Sequence, residues 1–386
     1  MSSLRLFVLK RVAHSALLLG LAGCGFSGAE DAIKAGDEAY NLRDLLRAEK
    51  CYQQACDFAP DGITCKIKLA KVKLDLAKIG EADSIIKEAV ALDPEAVDSR
   101  LLGAQIAWYM KSYDEAFKAF SSIAEDTSLS KEIRAEAYSS MGVVEMTKNR
   151  SDEARVLFMT ALLYDYRNPP AWYHLGCLYR DVYGYDASAL EQFEVFVRLE
   201  KNDPHRVLKV SREFIPGLKD KINLKLTEIN GASSRDSAKS ATLIRKAESE
   251  VLKKNFRDAL TSYEGAYAAD PLSYPAAKGL AEMWIKEAIR VPSRRDGDVC
   301  RRKALKSYRD AIMLRPAATS LMIEAANLAL RLGDTMTAFE IYSRAMAVNP
   351  TNRSAIDGVI KTAELKGKVA LAKLYKEYLA KVKTVR

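Results

Sequence analysis

The sequence predicts an all-α fold, an α-solenoid built from antiparallel helix pairs. Alanine, leucine and lysine are abundant, whereas the 386 residues include only 19 glycines and 11 prolines, a composition that favours helices. A pattern of small, aromatic and proline residues also recurs every 34 residues. Apolar residues make up 48% of the chain, which is enough for a continuous core between stacked helix pairs.

The first 28 residues are predicted to be a signal and a tether. A basic start precedes the apolar run Val12–Ala22, which is shorter than the roughly 20 residues that span a bilayer. The residues Leu-Ala-Gly-Cys that end at Cys24 resemble the lipobox of bacterial lipoproteins. This resemblance implies removal of residues 1–23 as a lipoprotein signal peptide and acylation of Cys24, which would anchor the protein in a membrane. Residues 24–28 then form a short tether, and an ordinary signal peptide is the alternative.

The repeat has a fixed spacing. A small residue is followed after 12, 4, 3 and 5 positions by an alanine, a bulky residue, a second alanine and, in four of the five clearest units, a proline. Positions four and three apart lie on one stripe of a helix, so the alanines let a neighbouring helix approach and the bulky residue fills the remaining gap. Each unit is therefore a helix–turn–helix that buries its apolar face only by stacking. The units are Gly36, Ala48, Tyr52, Ala55, Pro60; Ala70, Ala82, Ile86, Ala89, Pro94; Gly142, Ala154, Phe158, Ala161; Ala247, Ala259, Tyr263, Ala266, Pro271; and Ala326, Ala338, Tyr342, Ala345, Pro350.

This pattern resembles the tetratricopeptide repeat (TPR). Residues Trp172–Tyr179 match the first-helix signature of that family, Trp-x-x-Leu-Gly-x-x-Tyr, at every marked position. The resemblance implies a right-handed superhelix of about eight repeats. It places an N-terminal array at residues 29–201 and a C-terminal array with a capping helix at residues 241–386.

Three of the repeats are irregular. The small residue of the third is either Gly103 or Ala104, and the fifth has one extra residue before Ala189. The seventh has eleven additional residues within Ile289–Cys300, and their turn-forming sequence predicts a loop. The segment Ile356–Leu379 is predicted to be a degenerate repeat or a capping helix.

Residues 202–240 form a different kind of segment between the two arrays. Their apolar residues, from Val207 to Ile222, lie on one stripe of a predicted amphipathic helix that Pro216 kinks or divides. A polar, glycine- and serine-containing linker follows. The arrays are therefore either joined by a hinge or parts of one continuous solenoid.

No motif in the sequence predicts catalysis. The chain has no P-loop, dinucleotide fingerprint, zinc-protease motif or nucleophile elbow. His174 and Cys177 lack the further ligands that a zinc site needs. The five cysteines other than Cys24 are expected to be buried apolar residues, with a Cys56–Cys65 bridge as the alternative. We therefore expect no enzyme, no metal, no cofactor, no small-molecule substrate and no nucleic acid.

The resemblance to TPR proteins implies a concave groove lined by the first helices. Positions one, four and five after each small residue point into such a groove, and aromatic and arginine side chains are the usual interface anchors. Packing of the aromatic residues against the next repeat is the alternative. The groove residues expected on this basis are Asp37, Tyr40, Asn41, Lys71, Gln105, Trp108, Tyr109, Tyr173 and Arg180.

The sequence therefore favours a membrane-anchored adaptor that binds other envelope proteins or peptides. Because Gly25 rather than aspartate follows Cys24, we expect the periplasmic face of the outer membrane. The alternative is a structural protein that binds cell-wall or surface polyanions. It rests on residues 286–309, where nine basic residues outnumber three acidic ones, and above all on Arg294, Arg295, Arg301 and Arg302.

Overall fold

The computed structural model describes residues 26–231 and 235–385, so Cys24 and the predicted signal peptide lie outside the described residues. All regular elements in these two ranges are helical, and they fall into two compact units that divide between Glu125 and Asp126. The helices are α1 (Ala29–Asn41), α2 (Leu45–Phe58), α3 (Ile63–Asp75), α4 (Ile79–Leu92), α5 (Val97–Tyr109), α6 (Tyr113–Glu125), α7 (Lys131–Thr147), α8 (Ser151–Tyr164), α9 (Pro169–Asp181), α10 (Asp186–Leu199), α11 (Pro204–Lys209), α12 (Ile215–Asn230), α13 (Ser237–Leu252), α14 (Phe256–Ala269), α15 (Tyr274–Arg290), α16 (Arg294–Leu314), α17 (Thr319–Arg331), α18 (Thr335–Val348), α19 (Arg353–Leu365) and α20 (Val369–Val385).

The first unit shows the 34-residue period in its backbone. Helices α1, α3 and α5 each begin and end 34 residues after the previous one. The turn within each pair holds one residue in the left-handed conformation, at Arg43, Ala77 and Lys111. This regular register makes Ala104, which is buried, the small residue of the third repeat, whereas Gly103 is partly exposed.

The small residue and the aromatic residue of a repeat interlock, as the spacing predicts. A β-carbon added to Gly142 would lie 2.6 Å from Cε1 of Phe158, so only glycine leaves room for the ring in this position. Gly176 lies against Phe193 in the same way. That aromatic residue is one position later than in the other repeats, which confirms the extra residue predicted in the fifth repeat.

The prediction of a loop within Ile289–Cys300 is wrong, because most of this segment is helical. Helix α15 continues to Arg290 and α16 begins at Arg294, so only three residues connect them. The Ser293 side chain accepts a hydrogen bond from the Asp296 backbone N–H at 3.4 Å and caps the new helix. Since arginine favours helices, the additional residues lengthen both helices of the repeat instead of forming a loop.

The amphipathic helix predicted within residues 202–240 is present as α11, a π-helical turn at Val210–Phe214, and α12. The π-helical turn precedes Pro216, which has no backbone N–H and therefore cannot donate the usual helical hydrogen bond to the carbonyl group of Arg212. Helix α12 packs against α10 and α16, so this segment belongs to the second compact unit. The array boundary at 202–240 stays a prediction, and it differs from the division between the compact units.

The described residues hold nine helix pairs: the eight expected repeats and a complete C-terminal pair, α19 and α20. In the second unit this last pair packs against an early repeat, because α20 contacts α8. A buried ionic cluster joins them. The Arg155 guanidinium is 3.3 Å from Asp152 and hydrogen-bonds the Tyr375 hydroxyl, while Asp152 accepts hydrogen bonds from Tyr183 at 2.8 Å and from Lys368 at 3.3 Å.

Candidate functional site

The predicted groove positions of the first unit share one face. Helix α1 contacts α3 and α3 contacts α5, so the first helices of successive repeats lie side by side. Residues 34 apart therefore occupy equivalent places along this layer. The three sets of equivalent residues are Asp37, Lys71 and Gln105; Tyr40, Leu74 and Trp108; and Asn41, Asp75 and Tyr109.

A small cleft of ≈ 300 Å³ opens at the α1 and α3 end of this face. It brings together four of the predicted groove residues and two that sequence reasoning did not place there, Tyr52 and Lys68. The spacing pattern marked Tyr52 only as a packing residue, and Lys68 precedes the small residue of α3 on a side that the family pattern does not assign. The cleft is lined by Asp37, Tyr40, Asn41, Tyr52, Lys68 and Lys71.

Hydrogen bonds fix the Asp37 carboxylate and the Tyr40 hydroxyl in this cleft. Asp37 accepts hydrogen bonds from the Tyr52 hydroxyl and from Nζ of Lys68, each at 2.7 Å. Burial alone would raise the pKa of Asp37, but these two donors outweigh it and lower the pKa. Tyr40 donates to Asp75, and burial together with this hydrogen bond raises the pKa of Tyr40 to about 12. At neutral pH the cleft therefore holds an ionised Asp37 carboxylate and a neutral Tyr40 phenol.

Two groups in the cleft stay available to a ligand. Nζ of Lys71 lies 5.6 Å from the centre of the Tyr40 ring, and no carboxylate of the described chain pairs with this ammonium group. The Asn41 side chain is exposed. Together they offer hydrogen-bond donors and one free positive charge at the mouth of the cleft.

The α5 end of the same face is aromatic. Trp108 and Tyr109 meet edge to face with ring centres 4.8 Å apart. The Tyr109 side chain is 50% exposed, whereas Trp108 and Gln105 are partly buried. Tyr109 is therefore half exposed to solvent, and Trp108 is partly buried and partly exposed.

The predicted groove residues of the fifth repeat are covered by the chain itself. The Arg180 guanidinium lies 3.7 Å from the centre of the Phe214 ring, and that of Arg206 lies 4.9 Å from the centre of the Tyr173 ring. Both partners belong to the α11–α12 segment. Its apolar stripe, with fully buried Val210, must be packed against a protein surface, and it occupies this face. Tyr173 and Arg180 therefore do not line an open groove in this structure.

The described residues contain no group of three or more side chains placed to hold a metal ion. His174 instead stacks on Phe158 with ring centres 5.2 Å apart, and burial together with the charge of Arg206 lowers its pKa to about 4. No disulfide joins the five described cysteines, so the alternative of a Cys56–Cys65 bridge is wrong: Cys51, Cys56, Cys65 and Cys300 are buried, and Cys177 is partly exposed. No helix in the described ranges combines the length and apolarity needed to cross a bilayer.

The helix pairs, their 34-residue register and the interlocked glycine and aromatic residues decide the fold. It is a tetratricopeptide-repeat α-solenoid. No protein-family model matches the chain, and no curated protein matches its sequence.

Three solved structures are similar to this chain. The APC/C hetero-tetramer Cut9–Hcn1 has a TM-score of 0.40 and 13% identity, over 93% of this chain and 80% of that one. The Pseudomonas aeruginosa protein pilF has a TM-score of 0.38 and 14% identity, over 66% of this chain and 97% of that one. YrrB, described as a TPR protein with an unusual peptide-binding site, has a TM-score of 0.29 and 13% identity, over 73% of this chain and 97% of that one. The likeness concerns the fold alone, and such low scores add nothing to what the helix pairs establish.

Proposed function

We propose that this protein is an interaction scaffold whose first unit binds a segment of a partner protein. The observation that carries the proposal is the continuous face of α1, α3 and α5, which places the cleft around Lys71 at one end and exposed Tyr109 at the other. Such a face combines donors, acceptors and an aromatic anchor, the composition of protein-binding surfaces. No residue arrangement on it suggests a chemical step.

The test is site-specific photocrosslinking in cells. With a photoreactive residue at Tyr109, we expect a discrete crosslinked protein, and the Tyr109→Ala variant should retain less of that protein by about 30-fold, since an aromatic anchor contributes at least ~2 kcal/mol. The measurement is the yield of crosslinked and co-purified partner.

Phe58 on α2 is the matched control. Its side chain is 53% exposed, close to that of Tyr109, but it lies on a second helix. A photoreactive residue at Phe58 should not capture the same protein. If both positions yield the same products, or if position 109 yields none, the groove proposal is wrong.

We further propose that Cys24 carries the scaffold as a lipid anchor in the cell envelope, where its partners are other envelope proteins or peptides. The support is the lipobox-like sequence, and Phe26 adds to it. That side chain already packs against the core of the first repeat. Gly25 alone then separates the acylated cysteine from Phe26 and the folded unit. Assignment to the periplasmic face of the outer membrane rests on Gly25 and stays part of this proposal.

Palmitate labelling tests the anchor. The Cys24→Ala variant should lose incorporation of the label completely and accumulate as the uncleaved precursor, because the thiol is the acceptor for the lipid. Gel mobility and label incorporation give the result. Cys300→Ala, which removes a thiol from the folded part of the chain, should incorporate the label normally. Normal cleavage of Cys24→Ala would instead indicate an ordinary signal peptide.

The alternative function, binding of cell-wall or surface polyanions, is supported by part of the predicted basic surface. Arg301 is neutralised by Asp298 at 2.7 Å. Arg294, Arg295 and Arg302 are exposed, and within the described residues they have no carboxylate at ion-pair distance.

A further inference from the structure

A second cleft lies in the second unit, between α12 and α16, with a volume of ≈ 630 Å³. This volume falls within the range of about 300–1,000 Å³ that ligand sites occupy. It shares no residue with the face of α1, α3 and α5, and its Arg302, Lys306 and Arg309 lie within the basic segment 286–309.

Unpaired cations form one wall of this cleft. Arg302, Lys306 and Arg309 follow one another at intervals of four and three residues, so they lie on one face of α16. All three side chains are exposed, and the described part of the chain provides no carboxylate within 4.0 Å of them. From the opposite wall, Lys225 of α12 also faces the cleft but is already bonded to Asp186. The α16 wall therefore offers three positive charges to a ligand.

The cleft also has three apolar lining residues. Ile229, Leu305 and Met313 line it, and Leu305 is 9% exposed. Both Nη atoms of Arg344 lie 4.0 Å from the Sδ atom of Met313. Burial lowers the pKa of this guanidinium group, and none of the described carboxylates forms an ion pair with it. This guanidinium group places a further positive charge beside Met313.

Two carboxylates at the cleft decide between classes of anionic ligand. Glu228 lines the α12 side, and Asp310 on α16 accepts a hydrogen bond from the Tyr267 hydroxyl at 3.0 Å. A continuous polyanion would be repelled at both places. A peptide instead presents backbone N–H donors between its acidic side chains, and these can bond to carboxylates.

We propose that this cleft binds an acidic peptide segment of a partner protein, with an apolar side chain seated between Ile229, Leu305 and Met313 and carboxylates paired with Arg302, Lys306 and Arg309. The proposal rests on the scaffold function and adds a second docking point to it, in the other compact unit. Two linked docking points would give a partner an avidity beyond that of either site.

The test uses the full chain and a short fluorescent peptide in which glutamates flank a central leucine. The double variant Lys306→Glu/Arg309→Glu should bind this peptide at least about tenfold more weakly, as expected when ion pairs across an interface become repulsive. Replacing the glutamates by glutamine, or the leucine by serine, should also weaken binding. Fluorescence anisotropy gives the dissociation constants, and far-UV circular dichroism checks that the exposed substitutions preserve the fold.

The matched control is Arg294→Glu/Arg295→Glu, which makes the same change in net charge at exposed positions on the same helix outside the cleft. It should change the affinity less than twofold. An equal loss in the two double variants would overturn the proposal, as would binding of polyphosphate or anionic phospholipid vesicles in place of the peptide. If the peptide fails to bind while crosslinking from position 109 persists, this inference alone is wrong and the scaffold function stands.

Discussion

Asp152→Asn should destabilise the second unit by about 3–5 kcal/mol, because it leaves a buried guanidinium group without its counter-charge. Arg155 is 1% exposed; its Nη2 atom contacts Asp152, and its Nε and Nη1 atoms have no hydrogen-bond partner in the described structure. Asparagine keeps the shape and can still accept the hydrogen bond from Tyr183, so the substitution isolates the charge. Urea unfolding of the full chain measures the change in the free energy of unfolding.

A second substitution separates the charge from the packing. Adding Arg155→Met to Asp152→Asn removes the unpaired cation and should recover at least half of the lost stability, as for other buried ion pairs replaced by apolar side chains. If the double variant is less stable than Asp152→Asn alone, the charge is not the source of the effect.

The same cluster predicts a dependence on pH. Burial alone would raise the pKa of Asp152, but the charge of Arg155 and the bonds from Tyr183 and Lys368 lower it below the ordinary value. Because the pKa of Asp152 is lower in the folded protein than in the unfolded chain, its carboxylate stabilises the fold above about pH 4. This stabilisation is lost as the pH falls through the pKa that Asp152 has in the folded protein. The stability difference between wild type and Asp152→Asn should therefore shrink below about pH 4.

Phe158→Ala should destabilise the second unit by about 3–5 kcal/mol, the range for removing a buried aromatic side chain. Its ring is fully buried, fills the space left by Gly142 and stacks on His174. Truncation therefore leaves a cavity at the contact between successive repeats. The measurement is again the free energy of unfolding in urea.

Phe58→Ala is the control for residue type, because that side chain is 53% exposed. It should change the free energy of unfolding by no more than about 0.5 kcal/mol. If Phe58→Ala lowered the free energy of unfolding as much as Phe158→Ala, the proposed interlock of Phe158 with Gly142 and His174 would not explain the effect.

Much of the site in the first unit could be predicted from the sequence, because its repeats keep an unbroken 34-residue period. A fixed period gives equivalent residues equivalent positions, so the groove pattern implied by the resemblance to the tetratricopeptide repeat could be carried over to Lys71 and Tyr109. Tyr52 and Lys68 were missed at the cleft for a different reason. A side chain that reaches its neighbour's carboxylate is positioned by contacts between helices, and no periodicity records them.

The same reasoning failed where the chain departs from the period. The additional residues before Cys300 contain proline and glycine, and local propensity favours a loop there. The cap at Ser293 and packing between two long helices make most of them helical instead. The groove positions Tyr173 and Arg180 match the family pattern, but a segment outside the repeats covers them.

The sequence by itself determined the all-α class, the helix pairs and their register, because alanine, aromatic and glycine spacing fixes which side of each helix can be buried. It also determined the lipobox-like motif at Cys24, whose function is a prediction that does not depend on the fold. Only the tertiary structure decided that α20 packs on α8, that Arg155 and Asp152 are buried there, and that α12 and α16 enclose a basic cleft. These features join residues far apart in the chain, and their energies depend on burial and distance, which a local pattern does not contain.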